Sequence, residues 1–273
     1  RAMADTEVER LLAELVTELD AREVVGIFLG GSFARGAPTL YSDVDLAPVL
    51  PDDAALPPKR YAYRAGRLIS ISPKALIGWR TQMTQPERAI YAVPSVRELR
   101  ILLDKDGSLA RLQQEAFAFR WEPLQPAADA FADDVLQQLP EYVHKLLGGI
   151  ATRDESTMAF AVGNLARFVT DAVATQRGIL VVSQNTLYRQ LWEEFGLQST
   201  WTRAHAAAVG SAAMEHTPVL APLTLIERAF AALRLYIATI RLLRPILLPG
   251  TRQVADESIR IIQQVHPGLE QRS

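Results

Sequence analysis

The stretch that most constrains this chain is Gly30-Gly31-Ser32-Phe33-Ala34-Arg35, followed after a short spacer by Tyr41-Ser42-Asp43-Val44-Asp45-Leu46. An apolar run from Val24 to Leu29 leads into it. The order reads as strand, Gly-rich turn, short helix, loop, second strand. Alternate side chains of a strand share a face, so Val44 and Leu46 can point into a core while Asp43 and Asp45 point together out of it. Their Cα atoms would then lie roughly 6.5–7 Å apart, close enough for both carboxylates to reach one hard cation. The Gly-Gly-Ser turn offers unhindered backbone N–H groups and a hydroxyl, the groups that hold a phosphate, and Arg35 adds a cation on the next turn. Locally, this is a site for a nucleoside triphosphate and its Mg²⁺.

The pattern resembles the nucleotidyltransferase superfamily related to DNA polymerase β, with its Gly-Ser, spacer and Asp-x-Asp. Within it, the likeness is strongest to the aminoglycoside (kanamycin) nucleotidyltransferases, through Gly31, Ser32, Arg35, Tyr41, Ser42, Asp43 and Asp45. The resemblance implies an α+β fold: a nucleotidyltransferase head with a small mixed β-sheet, followed by an all-helical C-terminal domain. It implies Asp43 and Asp45 as catalytic metal ligands, and Gly31, Ser32, Arg35 and Ser42 as nucleotide-binding. It also implies that Glu141 and Lys145, in Glu141-Tyr142-Val143-His144-Lys145, are the general base and a further phosphate ligand. By spacing alone, positions i and i+4 on one helix face are equally an ordinary surface ion pair. The superfamily usually carries a third carboxylate on a later strand. Here the strand that would align, Arg67 to Ser72, offers Ser70 and Ser72 instead, with Glu87 or Asp104 as the nearest substitutes in sequence.

The expected activity is Mg²⁺-dependent transfer of AMP from ATP to a hydroxyl of a small molecule, an aminoglycoside-like antibiotic being favoured, with release of pyrophosphate. A homodimer is implied by the same resemblance. Two other readings stay open: adenylylation of a protein or an RNA end, and a degenerate head that works as a binding or interaction module. The 29 basic and 31 acidic residues balance, which argues against a nucleic-acid partner. There is no cysteine, hence no disulfide, zinc–thiolate site or cysteine nucleophile. Acidic residues appear at once and no signal-peptide core is visible, so a cytoplasmic setting is expected. The apolar segment from Leu220 to Leu248 is broken by Glu227, Arg228, Arg234, Arg241 and Arg244, which excludes a membrane span and reads as an amphipathic helix.

Along the rest of the chain, a helix is expected over 5–21 with a capping box at Thr6–Glu9, and strands over Asp43–Leu50, Arg67–Ser72 and Glu98–Leu103. The turn Asp104-Lys105-Asp106-Gly107 ends the last of these. From Pro126 the signals become helical: 127–147 as one helix or two divided at Pro140, then 156–175, 185–195, 202–214, about 222–244 and about 251–265. Trp121 to Pro126 is the expected boundary, giving a head at 1–124 and a helical part at 125–273. Tyr61, Tyr63 and Trp79 are candidates to flank a base or to pack on the sheet. The four histidines, 144, 205, 216 and 266, lack metal-ligand spacing.

Overall fold

A computed structural model describes residues 2–211 and 223–269, and the chain divides into two compact units, residues 1–121 and 122–273.

The first unit begins with helix α1 (Ala2–Leu19) and strand β1 (Gly26–Gly30), then the short helix α2 (Gly31–Ala34) and strand β2 (Val44–Leu50). Strands β3 (Arg60–Arg64), β4 (Arg67–Ile71) and β5 (Lys74–Ala75) follow, then helices α3 (Leu76–Met83) and α4 (Pro86–Glu98), strand β6 (Arg100–Asp104) and helix α5 (Ser108–Ala118). The sheet order is β3-β4-β2-β1-β6, with β5 also pairing β2. It is mixed. β1 is antiparallel to both β2 and β6, whereas β2 is parallel to β4 and β5. The parallel pair is possible because β3 runs back first and turns into β4 through Ala65 and Gly66, both at positive φ. Such a two-residue turn matches the strand twist, and glycine takes this conformation without strain.

Alternation sorts the sheet into two faces. Ile27, Leu29, Val44, Leu46, Ile69 and Ile71 pack with Val8, Leu11, Leu12, Leu15 and Leu19 of α1 into one buried cluster. Each fully buried aliphatic side chain there contributes about 1.5–3 kcal/mol. The opposite parity, Phe28, Gly30, Asp45, Ala47 and Ser70, is thereby assigned to the other face. A one-residue slip would drive Asp45 into the core, so the same burial that holds the sheet sets the aim of the carboxylate.

In the second unit every regular element among the described residues is helical: α6 (Gln125–Thr152), α7 (Glu155–Gln176), α8 (Leu187–Phe195), α9 (Thr200–Ala208), α10 (Leu225–Leu243) and α11 (Pro249–Val265), with 3-10 turns between some of them. The fold class is thus α+β, a small mixed sheet with helices followed by a helical part. α6 and α7 form a tight hairpin. Arg153 turns the chain at φ 56°, and the Asp154 carboxylate accepts from the Thr157 N–H at 3.2 Å to cap α7. Gly149 lets α7 approach, since a Cβ there would lie 3.0 Å from the Met158 side chain. A capping box at Thr224 and Glu227 starts α10. Buried Asp133 on α6 accepts from the Leu248 N–H and the Thr251 hydroxyl, at 2.8 and 3.1 Å, and so anchors the start of α11.

Of the two readings left open at Pro140, the structure takes the single helix: α6 runs unbroken, because Leu136, Leu139, Val143 and Leu146 are all fully buried and hold the helix across the lost backbone bond. Several other local expectations differ from this structure. α1 starts at Ala2, so Thr6 does not begin it. Glu98 ends α4 rather than opening a strand, and β6 starts at Arg100. Helices α3, α4 and α5 and strand β3 carry no sequence expectation. α4 contains Pro94, which masks its helical pattern. Leu233, Ile237 and Ile240 of the α10 stripe are buried, but Ile226 is 38% exposed. Met214, His216 and the start of the segment at Leu220 lie outside the described residues.

Candidate active site in the first unit

β1 ends at Gly30, whose register partner on β2 is Asp45. Gly31 then turns the chain at φ 65°. A Cβ at that position would lie 2.5 Å from Asp45 Oδ2, so both the conformation and the space demand glycine. The carboxylate therefore lies against the bare backbone of the turn. The hydroxyl of Ser32 has no protein partner among the described residues. Ser42 acts locally: its Oγ accepts from the Thr39 N–H at 2.8 Å and closes the turn that delivers Asp43 to the strand. Arg35 lies 3.7 Å from the Glu98 carboxylate, and its charge also reaches Asp45.

The electrostatics of Asp45 are unfavourable in the protein alone. Burial, and then the like charge of Asp43, push its carboxyl above the usual carboxylate range; the Ser70 hydroxyl, Lys59 and Arg35 oppose this only in part. Two carboxylates set together without full compensation are a fit for a divalent cation, which takes a few carboxylate oxygens and fills the remainder of its shell with phosphate and water. On the strand expected to align with the third acid, Ser70 is the direct register partner of Asp45 and almost fully buried. Neither proposed substitute reaches it. Asp104 lies on β6, on the far side of β1, and accepts the Ala110 N–H at 3.0 Å at the start of α5. Glu87 lies in the first turn of α4. Among the described residues, no group of three or more His, Cys, Asp or Glu side chains is placed to hold a metal.

Beside Asp45, on the same face of the sheet, a pocket of about 200 Å³ is lined by Lys59, Ser70, Ser72, Lys74 and Trp79, over Phe28 and Ala47. Trp79 packs edge-on to Phe28 at 6.3 Å, the sheet-packing role of the two considered for it. Tyr61 and Tyr63 are 60% and 78% exposed on β3. Lys59 sits 4.8 Å over the Tyr61 ring. Its ammonium is held above the usual range mainly by the Tyr61 hydroxyl; burial opposes this, and the Asp45 and Asp43 charges add smaller raising effects. Sequence reasoning passed over Lys59 and Lys74. The available signal was parity: Ser70, Ser72 and Lys74 continue the period of two that starts on β4.

Residues 9–86 match the family described as a nucleotidyltransferase domain. The matched segment runs from α1 through β5 and α3 to the start of α4, and so contains the turn, both aspartates and the pocket. A crystal structure of a nucleotidyltransferase-like protein from Exiguobacterium sibiricum 255-15 is similar over 93% of this chain and 80% of its own, with 15% identity and a TM-score of 0.49. No curated protein matches the chain by sequence.

The other two expected site residues belong to the second unit. Glu141 and Lys145 lie one turn apart on α6 and form an ion pair at 2.6 Å. The Lys145 ammonium also lies 5.3 Å from the centre of the Tyr142 ring and 5.6 Å from that of Phe160. His144 is an exposed neighbour on α6, and no helix among the described residues is long and apolar enough to cross a membrane.

Proposed function

We propose that this protein transfers AMP from ATP to a hydroxyl group of a small molecule and releases pyrophosphate. The observation that carries the reading is the Asp43–Asp45 pair: Asp45 lies against a glycine turn that has no room for a side chain, and its negative charge is compensated only in part. Asp43 and Asp45 would hold Mg²⁺, which would supply positive charge against that building on the phosphate oxygens. Ser32, Ser42, the Gly31 backbone and Arg35 hold the phosphates, and Arg35 must leave or share its contact with Glu98 to do so. Glu141 takes the proton of the acceptor hydroxyl, and Lys145 steadies the phosphates. The resemblance to aminoglycoside-modifying enzymes supports an antibiotic acceptor and a homodimer.

The test is pyrophosphate release from Mg²⁺-ATP across a panel of aminoglycosides, lincosamides and acidic hydroxyl compounds, with Asp43→Asn as the blank. Acceptor-dependent release that vanishes in the variant is expected. Glu141→Gln should slow turnover about 10²–10⁴-fold while ATP still binds by calorimetry, the loss typical for a general base. Unchanged turnover would remove Glu141 from the reaction. A second reading rests on Ser70 in place of the third acid: a head that binds nucleotide without turning it over. ATP binding with no release on any acceptor, protein and RNA ends included, would select it.

A further inference from the structure

The pocket next to Asp45 has a one-sided chemistry. Its polar lining residues are Lys59, Lys74, Ser70, Ser72 and Trp79. Among the described residues that line it, Asp45 supplies the one carboxylate, and the Ser70 hydroxyl is already bonded to it. The Trp79 N–H is buried and finds no acceptor among the described residues. Of the charged side chains that line it, two are positive, Lys59 and Lys74, and one is negative, Asp45. At about 200 Å³ the space is small against the roughly 300–1,000 Å³ of a whole small-molecule site. It suits one oxyanion group and the few carbons that carry it.

Its position relative to the reacting phosphorus follows from the register. Gly30 faces Asp45 and Phe28 faces Ala47 across the β1–β2 pair. The Gly31–Ser32 turn thus lies at one end of this pair. The pocket extends from Asp45 the other way, past Ala47 and Phe28 to Trp79. In phosphoryl-type displacement the entering and leaving oxygens are roughly in line through phosphorus. If the triphosphate tail lies along the turn and Arg35, the entering hydroxyl comes from the pocket side.

We infer that the acceptor is an acidic small molecule whose phosphate or carboxylate group is held by Lys59 and Lys74 in the pocket beside Asp45. This rests on the nucleotidyl-transfer reading and replaces a polycationic acceptor with an anionic one. In the step itself, the acceptor oxygen forms a bond to the α-phosphorus as the bond from that phosphorus to the bridging oxygen breaks. Pyrophosphate leaves with the electron pair, and the hydroxyl proton passes to the base assigned above. Lys59 and Lys74 take no proton; they position the acceptor and screen its charge from Asp43 and Asp45.

The test uses the full chain, loaded with Mg²⁺ and α,β-methylene-ATP, which cannot release pyrophosphate, and titrated with inorganic phosphate by calorimetry at constant ionic strength. Phosphate is expected to bind the loaded protein. The double variant Lys59→Met/Lys74→Met should weaken it at least tenfold, with the affinity for the analogue changed less than twofold, while Lys59→Arg/Lys74→Arg restores it. Circular dichroism and Tm identify a variant that has lost its fold, in which case the single variants are read instead. Phosphate displaced by the analogue would mean that the pocket holds the triphosphate tail, and the inference fails. Phosphate binding absent from wild type, or indifferent to both lysines, also overturns it. If the analogue itself does not bind, the nucleotidyl-transfer reading is what fails; phosphate titrated into the nucleotide-free protein and its lysine variants still reads the pocket. In the pyrophosphate-release panel, turnover should appear with phosphorylated or carboxylated alcohols and fall in the methionine variants. Turnover on an aminoglycoside that survives those variants sinks the proposal.

Discussion

Two polar clusters, one in each unit, have opposite characters. Around Asp45 the groups are mismatched: a half-buried carboxylate beside another carboxylate, lysines at the margin and an indole N–H without an acceptor. Around His205 in the second unit everything is matched. The Thr170 hydroxyl donates to the Ala166 carbonyl at 2.7 Å, so at 2.8 Å from His205 Nε2 its oxygen can only accept. Nε2 therefore carries the proton, and Nδ1 accepts from the Trp192 indole at 3.0 Å. The neutral ring stacks on Trp201 at 4.9 Å, whose own N–H reaches Thr239 at 2.9 Å. Burial lowers the His205 pKa to about 4, and a second ring proton would point at the Trp192 N–H. Satisfied polar groups in a core specify one packing; unsatisfied ones are where a ligand completes the site. The contrast separates a histidine whose partners the fold supplies from an aspartate whose partners it supplies only in part, although both are partly or wholly buried.

The sharpest way to break this comparison is Asp45→Asn. Turnover should fall on the order of 10³-fold or more, while thermal stability at neutral pH rises, because a repelled, desolvated charge has been removed. A stability loss there would mean that Asp45 is a structural group after all. The pH dependence gives the second test. His205 has a folded pKa depressed from 6.5 to about 4. The unfolded chain therefore binds the extra proton over that window, and stability that is fully present above pH 6.5 is lost as pH falls toward 4. The size is on the order of 3 kcal/mol. Asp45 works the other way: with its folded pKa raised, its unfavourable contribution is relieved as pH falls through that pKa. Denaturant curves from pH 7 to 4 on wild type and His205→Gln measure this, and the variant should show the smaller slope. Thr170→Val comes next. It strands the His205 N–H and should cost about 1–3 kcal/mol in urea unfolding. The smallest effect on stability is Gly31→Ala, about 1–2 kcal/mol for left-handed backbone, though pressing a methyl on Asp45 should also cut turnover. A fully active Gly31→Ala would show that the turn is merely a turn.

Legibility in the sequence tracked the range of the interaction. Strand β1, the glycine turn and the Asp43–Asp45 alternation span about twenty residues and were readable from parity and residue type. So were most helices of the second unit, whose apolar spacing reports the face they bury. Where the pattern is interrupted, the sequence says less: Pro94 conceals α4, and Pro140 leaves one helix or two open, which the packing of α6 decides for one. Lys74 was missed because its place depends on β5 joining β2 at Val49, a pairing between segments about 25 residues apart.

By itself, the sequence determined that Asp43 and Asp45 share a face behind a glycine turn, since alternation and the absence of a Cβ are properties of adjacent residues. It also determined that Ser70 is no acid. Only the tertiary structure decided that Ser70 stands opposite Asp45 and that two lysines and an unpaired indole surround the same pocket. Those neighbours arrive by strand pairing and loop closure over long separations, where the burial of Ile69, Ile71 and Leu46 against α1 selects one register from the many that the chain could write.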